Sequence, residues 1–185
     1  MAGEVLAERS TVSVPTELDW QVTLADTLVA NGVSVAVYVP DSRLHGVLGQ
    51  LQAASVVLRS LTREEECVAY AAGQRLAGGR PVVLMQSSGL GNALNALASM
   101  AVPSRLGLPL VVSMRGTLGE ANPSQVPIGR ATPSLLSAVG IQSFSLRKTE
   151  ETSQLATGIC NLAYKARECA ALLLEPELGG GRETN

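Results

Sequence analysis

The stretch VLMQSSGLGNALNALASM, residues 83–100, predicts the junction on which the fold depends. An apolar run ends at Gln86, two serines and two glycines follow, and an alanine- and leucine-rich segment continues from Asn92. This order is typical of a buried strand, a tight turn and a buried helix. Glycines in such a turn allow close approach of either a neighbouring segment or a ligand. Tight packing and ligand binding are therefore both possible roles for the turn.

Five further apolar runs alternate with helix-like segments along the chain. The candidate strands are 33–40, 55–61, 81–86, 108–114, 142–146 and 171–176, and the candidate helices are 17–31, 42–53, 63–77, 90–101, 131–139 and 149–168. Strands that are apolar throughout and separated by helices indicate a mostly parallel sheet covered on both faces. We expect a single three-layer α/β domain of about six strands over residues 16–177, with a flexible arm at 1–15 and a flexible tail at 178–185.

The composition argues against several classes of protein. Hydrophobic residues make up 46% of the chain and charged residues 16%, as in a globular domain. A net charge of −2 and only 3% aromatic residues argue against nucleic-acid binding. No apolar run is long enough to span a membrane, and the N-terminus has no signal-peptide core.

Cysteine and histidine are too few for several kinds of site. The three cysteines have no paired spacing, which indicates a reduced, cytoplasmic setting. A single histidine, His45, excludes a histidine-rich metal site within the chain. We therefore expect no metal ligands from this chain.

The loops after the predicted strands carry the polar residues. In a parallel sheet, ligands bind at the carboxyl ends of the strands. The turn QSSGLGN lacks both the third small residue of a dinucleotide fingerprint and the lysine of a phosphate-binding loop. If it binds a ligand, it does so with hydrogen-bonding groups, and the candidates are Gln86, Ser87, Ser88, Gly89 and Asn92.

Three consecutive glutamates begin the helix that follows the second strand. Thr62 is a plausible N-cap, and acidic residues in a first turn suit the helix dipole, which alone would explain all three. Helical spacing nevertheless puts Glu64 and Glu65 at the border of the buried side and Glu66 on the solvent side. A carboxylate held at that border needs a hydrogen-bonding partner.

Two further loops are expected at the carboxyl ends of the strands. Asp41 or Ser42, after the first strand, is either a helix cap or a substrate contact. Arg115 follows a central strand, where its charge would clamp an anionic substrate or form a surface salt bridge. Arg105 and Arg130 are further candidates for binding an anionic group, and spacing does not rank the three arginines.

The glutamate-led helix and the QSSGLGN turn together resemble a known family. Residues 62–100 are similar to the pyrimidine-binding domain of thiamine diphosphate enzymes, in particular of the phosphonopyruvate and sulfopyruvate decarboxylases. The likeness extends from VPDS at 39–42 to RGTLGEANPSQVPIGRATP at 115–133. The common family turn has asparagine where this chain has Ser87, which leaves the substrate open.

The resemblance implies a role for one carboxylate. In the family, a glutamate hydrogen-bonds the ring nitrogen of the cofactor's aminopyrimidine and favours the imino tautomer, which takes the proton from thiazolium C2. The helix pattern assigns this role to Glu64, with Glu65 as the alternative. The expected reaction is decarboxylation of a small 2-oxo acid with an extra anionic group, and Asp41, Ser42 and Arg115 face the substrate.

The Gly-Asp-Gly motif that precedes the family's magnesium ligands is missing from the sequence. We therefore expect an α-type subunit of a cytoplasmic hetero-oligomer, with at least two copies of each chain. A β-type partner would hold the diphosphate and Mg²⁺. Two other functions are open: a non-catalytic pyrimidine-domain partner with a structural or regulatory role, and a monomeric small-molecule-binding domain in which the turn only packs tightly.

Overall fold

Six parallel strands form the centre of the protein, which is described here by a computed structural model of residues 19–178. The strands are β1 (Val35–Tyr38), β2 (Val57–Ser60), β3 (Pro81–Gln86), β4 (Pro109–Ser113), β5 (Gln142–Leu146) and β6 (Ala170–Leu174). Their order across the sheet is β2-β1-β3-β4-β6-β5, and every neighbouring pair is parallel. The predicted sheet of about six strands is confirmed.

Six α-helices connect the strands and cover both faces of the sheet. They are α1 (Trp20–Ala30), α2 (His45–Ala53), α3 (Glu64–Leu76), α4 (Ser87–Ala96), α5 (Val126–Ala138) and α6 (Thr152–Asn161). Helices α1, α2 and α6 lie against one another on one face, and α3, α4 and α5 do so on the other. Both α4 and α6 continue as one turn of π-helix, at Leu97–Ala101 and Leu162–Ala166.

The sheet separates two hydrophobic cores because alternate side chains of each strand point to opposite faces. In β3, Val82 and Leu84 join the core under α1, α2 and α6, whereas Val83 and Met85 join the core under α3 and α4. Strands β4 and β6 are buried over their whole length. Burial on both faces is why these strands read as continuous apolar runs, and the three-layer prediction is confirmed.

Two helices begin earlier than the sequence predicts. The helix expected from residue 90 begins at Ser87, directly after β3, so the predicted tight turn is the first turn of α4. The helix expected from residue 131 begins at Val126, and Pro127 and Pro133 lie within it. Pro127 is tolerated because the first amide groups of a helix have no intrahelical acceptor. The loop between the strand predicted at 108–114 and the helix predicted at 131–139 is therefore shorter than expected.

The predicted arm, residues 1–15, and residues 179–185 of the predicted tail lie outside the described residues. The first residue of that tail, Leu178, ends a short 3-10 helix, Pro176–Leu178. The described residues, 19–178, form a single α/β domain, and its predicted bounds, 16 and 177, stay a prediction. None of the helices in the described part of the chain is long and apolar enough to cross a membrane.

Candidate functional site

The predicted site residues come together at the carboxyl edge of the sheet. Since all six strands are parallel, the loops after β1, β2, β3 and β4 leave the same edge. These loops hold Asp41 and Ser42, the start of α3, the start of α4, and Arg115. The strand order places β1, with the Asp41 loop, between β2 and β3, so the edge is continuous.

Helix α3 presents Glu64 as its first residue. The expectation that Thr62 is the N-cap is wrong, because Arg63 occupies that position in an extended conformation. Glu66 takes the capping role instead: its Oε2 accepts from Thr62 Oγ1 at 2.9 Å and from the Arg63 amide at 3.2 Å. Glu66 is exposed and Glu64 is half-buried, as the helical spacing predicts.

The Glu64 side chain lies against Gly89 in the first turn of α4. A Cβ atom built on Gly89 would lie closer than 3.0 Å to the Cγ, Cδ and Oε1 atoms of Glu64. No other residue type leaves this space open, so the glycine is required for close approach and not for an unusual backbone angle. Helices α3 and α4 thus hold the glutamate between them.

Asn92, one turn further along α4, orients the Glu64 carboxylate. Its Nδ2 donates to Glu64 Oε2 at 3.0 Å. Among residues 19–178 no hydrogen-bond donor reaches the other oxygen, Oε1. Asn92 holds one carboxylate oxygen, and the second has no donor among the described residues.

Glu65 has different surroundings. Its Oε1 accepts from Arg63 Nε at 2.5 Å, within its own helix end, and this hydrogen bond lowers the pKa of the Glu65 carboxyl. It makes no hydrogen bond to α4. The structure therefore separates two glutamates that the sequence left as alternatives: Glu64 contacts the QSSGLGN segment, whereas Glu65 pairs with Arg63.

A chain of hydrogen bonds joins the ends of β1 and β3. Ser88 Oγ donates to Gln86 Oε1 at 2.5 Å, and Gln86 Nε2 donates to Asp41 Oδ2 at 2.8 Å. The other Asp41 oxygen caps the short helical turn Ser42–Leu44 by accepting from the Arg43 amide at 2.9 Å. Asp41 is therefore a helix cap and also a member of the edge network.

An open groove lies beside this network. Pro40, Asp41, Ser42 and His45 line it, and its volume is about 420 Å³. Ser42 is exposed, so its hydroxyl is accessible from the groove.

Ser87 is fully buried, unlike the other polar residues of its segment. Its Oγ accepts from the backbone amide of Arg115 at 3.2 Å, which ties the start of α4 to the loop after β4. The side chain thus positions two neighbouring loops.

Arg115 forms a bidentate ion pair with Glu120. Its Nε and Nη2 donate to the two carboxylate oxygens at 2.8 and 2.6 Å. This pairing and the amides of Asn122 and Gly116 lower the pKa of Glu120 to about 2. Of the two roles that the sequence left open for Arg115, the salt bridge is present.

Two residues of the edge were missed in the sequence. Arg43, next to Asp41, donates through Nη2 to the carbonyl oxygen of Glu175, which follows β6. The Glu175 carboxylate is buried and accepts from Ser145 Oγ at 2.6 Å. Their signals were weak, since Arg43 was one residue in a polar loop and Glu175 ended an apolar run.

No group of three histidine, cysteine or acidic side chains in residues 19–178 is arranged to hold a metal ion. All three cysteines, Cys67, Cys160 and Cys169, are free and buried.

Comparison with known proteins adds to this geometry. Residues 20–117 match the family model of the thiamine pyrophosphate enzyme N-terminal domain, described as a TPP-binding domain. The chain is 36% identical over 145 residues to the sulfopyruvate decarboxylase subunit alpha of Methanothermobacter thermautotrophicus, an alignment covering 78% of this chain and 88% of that protein. It is 38% identical over 114 residues to the protein of the same name from Methanocaldococcus jannaschii, covering 62% and 68%.

Longer proteins contain a similar segment. The chain is 37% identical over 142 residues, or 77% of its length, to a sulfopyruvate decarboxylase of Methanosarcina acetivorans, and spans only 36% of that protein. A solved 2-oxoglutarate:ferredoxin oxidoreductase from Magnetococcus marinus superposes with a TM-score of 0.62 over 88% of this chain and 29% of that one. At 14% identity, this likeness shows the fold alone.

Proposed function

The chain belongs to the thiamine pyrophosphate enzyme family, as an α-type subunit of a thiamine diphosphate-dependent decarboxylase, and we propose that Glu64 activates the cofactor. One observation carries this assignment. The Glu64 carboxylate is wedged against Gly89, with one oxygen held by Asn92 and the other without a donor among the described residues. We further propose that the substrate is a small 2-oxo acid with a second anionic group, such as sulfopyruvate or phosphonopyruvate.

The residues present fit the aminopyrimidine end of thiamine diphosphate. When bound, this cofactor supplies the nucleophilic carbon and the electron sink that decarboxylation requires. Glu64 Oε1 is the acceptor that would share a proton with a nitrogen of the pyrimidine ring. Because Asn92 Nδ2 donates to Oε2, the carboxylate is held in one orientation, in which Oε1 would be the atom left to accept from the cofactor.

The neighbouring groups of α4 line the same place. We propose that Gln86, Ser88, Gly89 and Asn92 contact the cofactor or the reacting end of the substrate. Ser87 contributes indirectly, since its buried hydroxyl fixes the loop at Arg115. Glu65, which the sequence kept as an alternative to Glu64, also has one oxygen without a partner, but its other oxygen pairs with Arg63 and neither oxygen bonds to α4.

Asp41, Ser42 and Arg115 are proposed to face the substrate. Asp41 is bonded through Gln86 to Ser88, so the rim and the start of α4 form one hydrogen-bonded unit. Ser42 lines the groove of about 420 Å³ beside that unit. Arg115 is held toward the same edge by Glu120.

We assign the diphosphate and Mg²⁺ to a β-type partner subunit, with at least two copies of each chain. The names of three relatives, each called subunit alpha, support a partner of this kind. A cytoplasmic location is proposed as well, in agreement with three free, buried cysteines.

The test compares Glu64→Gln with Glu65→Gln in the complex with the β-type chain. Glu64→Gln keeps the side-chain shape but cannot share a proton as a carboxylate does, so carbon dioxide release should fall at least about 100-fold, the lower range for a general acid or base. Glu65→Gln should retain most activity. Size-exclusion chromatography checks that both complexes assemble. Full activity of Glu64→Gln would remove the assignment and favour a non-catalytic, structural or regulatory role.

A further inference from the structure

The sequence left three arginines as equivalent candidates for binding an anionic group, and the structure distinguishes between them. Arg105 precedes β4 and so lies at the opposite, amino-terminal edge of the sheet. Arg130 is an exposed residue of α5. The Arg115 charge is matched by the bidentate pair with Glu120. Arg130 also lines the carboxyl edge beside Arg115, but it is exposed to water, where a single ion pair contributes little. A second anionic group is held more strongly by a partly buried cation at the carboxyl edge.

Arg43 occupies that position. It lies in the short turn Ser42–Leu44 after β1, directly after the groove residues Asp41 and Ser42. Its Nη2 donates to the Glu175 carbonyl oxygen, after β6. In the sheet, β3 and β4 separate β1 from β6, so this side chain links loops across the middle of the carboxyl edge.

The hydrogen-bonding capacity of Arg43 is mostly unused. A guanidinium group has five N–H donors, and the described residues supply an acceptor for only one nitrogen, Nη2. Its Nε is buried with no partner. No ion pair with a carboxylate is formed by Arg43 within residues 19–178. Because buried donors are nearly always hydrogen-bonded in native proteins, Arg43 has capacity for a further acceptor.

Arg43 is partly buried and has both acidic and basic neighbours. Burial, the largest effect, lowers the pKa of Arg43, and the charge of Arg115 lowers it further, whereas Asp41, Glu175 and Glu177 raise it. Arginine remains protonated under all ordinary conditions. The group is therefore a partly desolvated cation, where an added anion interacts more strongly than at an exposed site.

We propose that Arg43 binds the second anionic group of the 2-oxo acid and thereby sets substrate specificity. This rests on the proposed function. A sulfonate or phosphonate has three acceptor oxygens, which match the planar fork of a guanidinium better than the single point of a lysine ammonium. The network from Asp41 through Gln86 to Ser88 connects this position to the segment that holds Glu64.

The experiment measures carbon dioxide release by the complex with its β-type partner on two acids, sulfopyruvate and 2-oxobutanoate, which lacks the second anion. Arg43→Gln should raise KM for sulfopyruvate about 10- to 100-fold, the loss expected for a charged hydrogen bond. Its kcat, and its kcat/KM for 2-oxobutanoate, should stay near wild type. Arg147→Gln is the matched control, because Arg147 is an exposed cation after β5 that also lies near Glu175, and both acids should be unaffected.

Two results would overturn the proposal: an equal loss on both acids, which indicates a structural role, or no loss on either. If Arg43→Gln does not fold, Arg43→Lys, which keeps the charge but lacks the fork, should still raise KM for sulfopyruvate selectively. Unaltered KM in that variant would also reject the proposal.

A different result would show that the proposed function itself is wrong. If the wild-type complex releases carbon dioxide from neither acid and not from phosphonopyruvate, the decarboxylase assignment fails. Arg43 is then tested by calorimetric binding of 3-sulfopropionate, which has no 2-oxo group to react. Binding at least tenfold weaker in Arg43→Gln than in Arg147→Gln supports the anion site. Equal affinity overturns it.

Discussion

Substituting Gly89 by alanine tests the position of Glu64 without changing its chemistry. The added Cβ would lie 2.2 Å from Glu64 Oε1, and an ordinary contact is at least 3.4 Å, so the carboxylate must move by about 1.2 Å. The atoms in the way belong to the movable end of a side chain, so the backbone can stay in place. The Asn92 hydrogen bond to the carboxylate should then be lost.

The expected result is a large loss of activity with little change in stability. Alanine in place of glycine in a helix gains up to about 1 kcal/mol, and one lost hydrogen bond costs about 0.5–1.5 kcal/mol, so the two nearly cancel. The melting temperature should therefore change by less than about 4 °C. A displacement of about 1 Å in a catalytic group can reduce turnover about 100-fold, and we expect kcat of the α–β complex to fall by that factor.

Gly91→Ala is the matched control, since Gly91 lies in the same helix and its added Cβ would lie 3.2 Å from Ile128 Cδ1, away from Glu64. The flexible end of Ile128 must shift by a few tenths of an ångström, so we expect full activity and a stability within about 1 kcal/mol of wild type. Carbon dioxide release and thermal unfolding of both variants provide the comparison. Wild-type kcat in Gly89→Ala, or equal losses in the two variants, would show that contact between α3 and α4 does not position the catalytic carboxylate.

Three further predictions concern the rest of the domain. The pKa of Glu120 is lowered to about 2, mainly by Arg115, so Glu120→Gln should reduce the free energy of unfolding above pH about 4.5. That difference should shrink as the pH falls toward 2, which urea titrations at pH 7 and pH 3 would detect. Tyr164→Phe removes the 3.0 Å hydrogen bond to the Pro81 carbonyl. It should lower the free energy of unfolding by about 1 kcal/mol, measured by thermal unfolding, without affecting turnover. Burial, with Glu64 nearby, raises the pKa of Cys67 to about 12, so at pH 8 its thiol should react with a thiol reagent only when urea unfolds the chain.

The architecture could be predicted because its signals are local. Strands buried on both faces are apolar at nearly every position, and this property makes β3, β4 and β6 visible in the sequence. The predicted first residues of two helices were less accurate. Serine and glycine at residues 87–89 are typical of turns, yet these residues form the first turn of α4. Intrinsic preference is a weak guide where packing against a neighbouring helix decides the conformation.

The candidate site was only partly predictable. Its members follow strands, and the rule that ligands bind at carboxyl ends was enough to bring Asp41, Glu64 and Gln86 to one edge. The choice between Glu64 and Glu65 was not available from helical spacing, because both lie at the border of the buried side. Arg43 was missed because nothing in its local sequence indicates a partner after β6.

Composition and pattern determined the class of fold, the family resemblance and the edge at which ligands bind, since periodicity and burial act over a few neighbouring residues. Tertiary structure alone decided which carboxylate meets α4 and which guanidinium keeps unused donors. These outcomes depend on contacts between residues far apart in the chain, such as Glu64 with Gly89 and Arg43 with Glu175. A difference of one residue in helical register would exchange Glu64 for Glu65, and only the packing of α3 on α4 specifies that register.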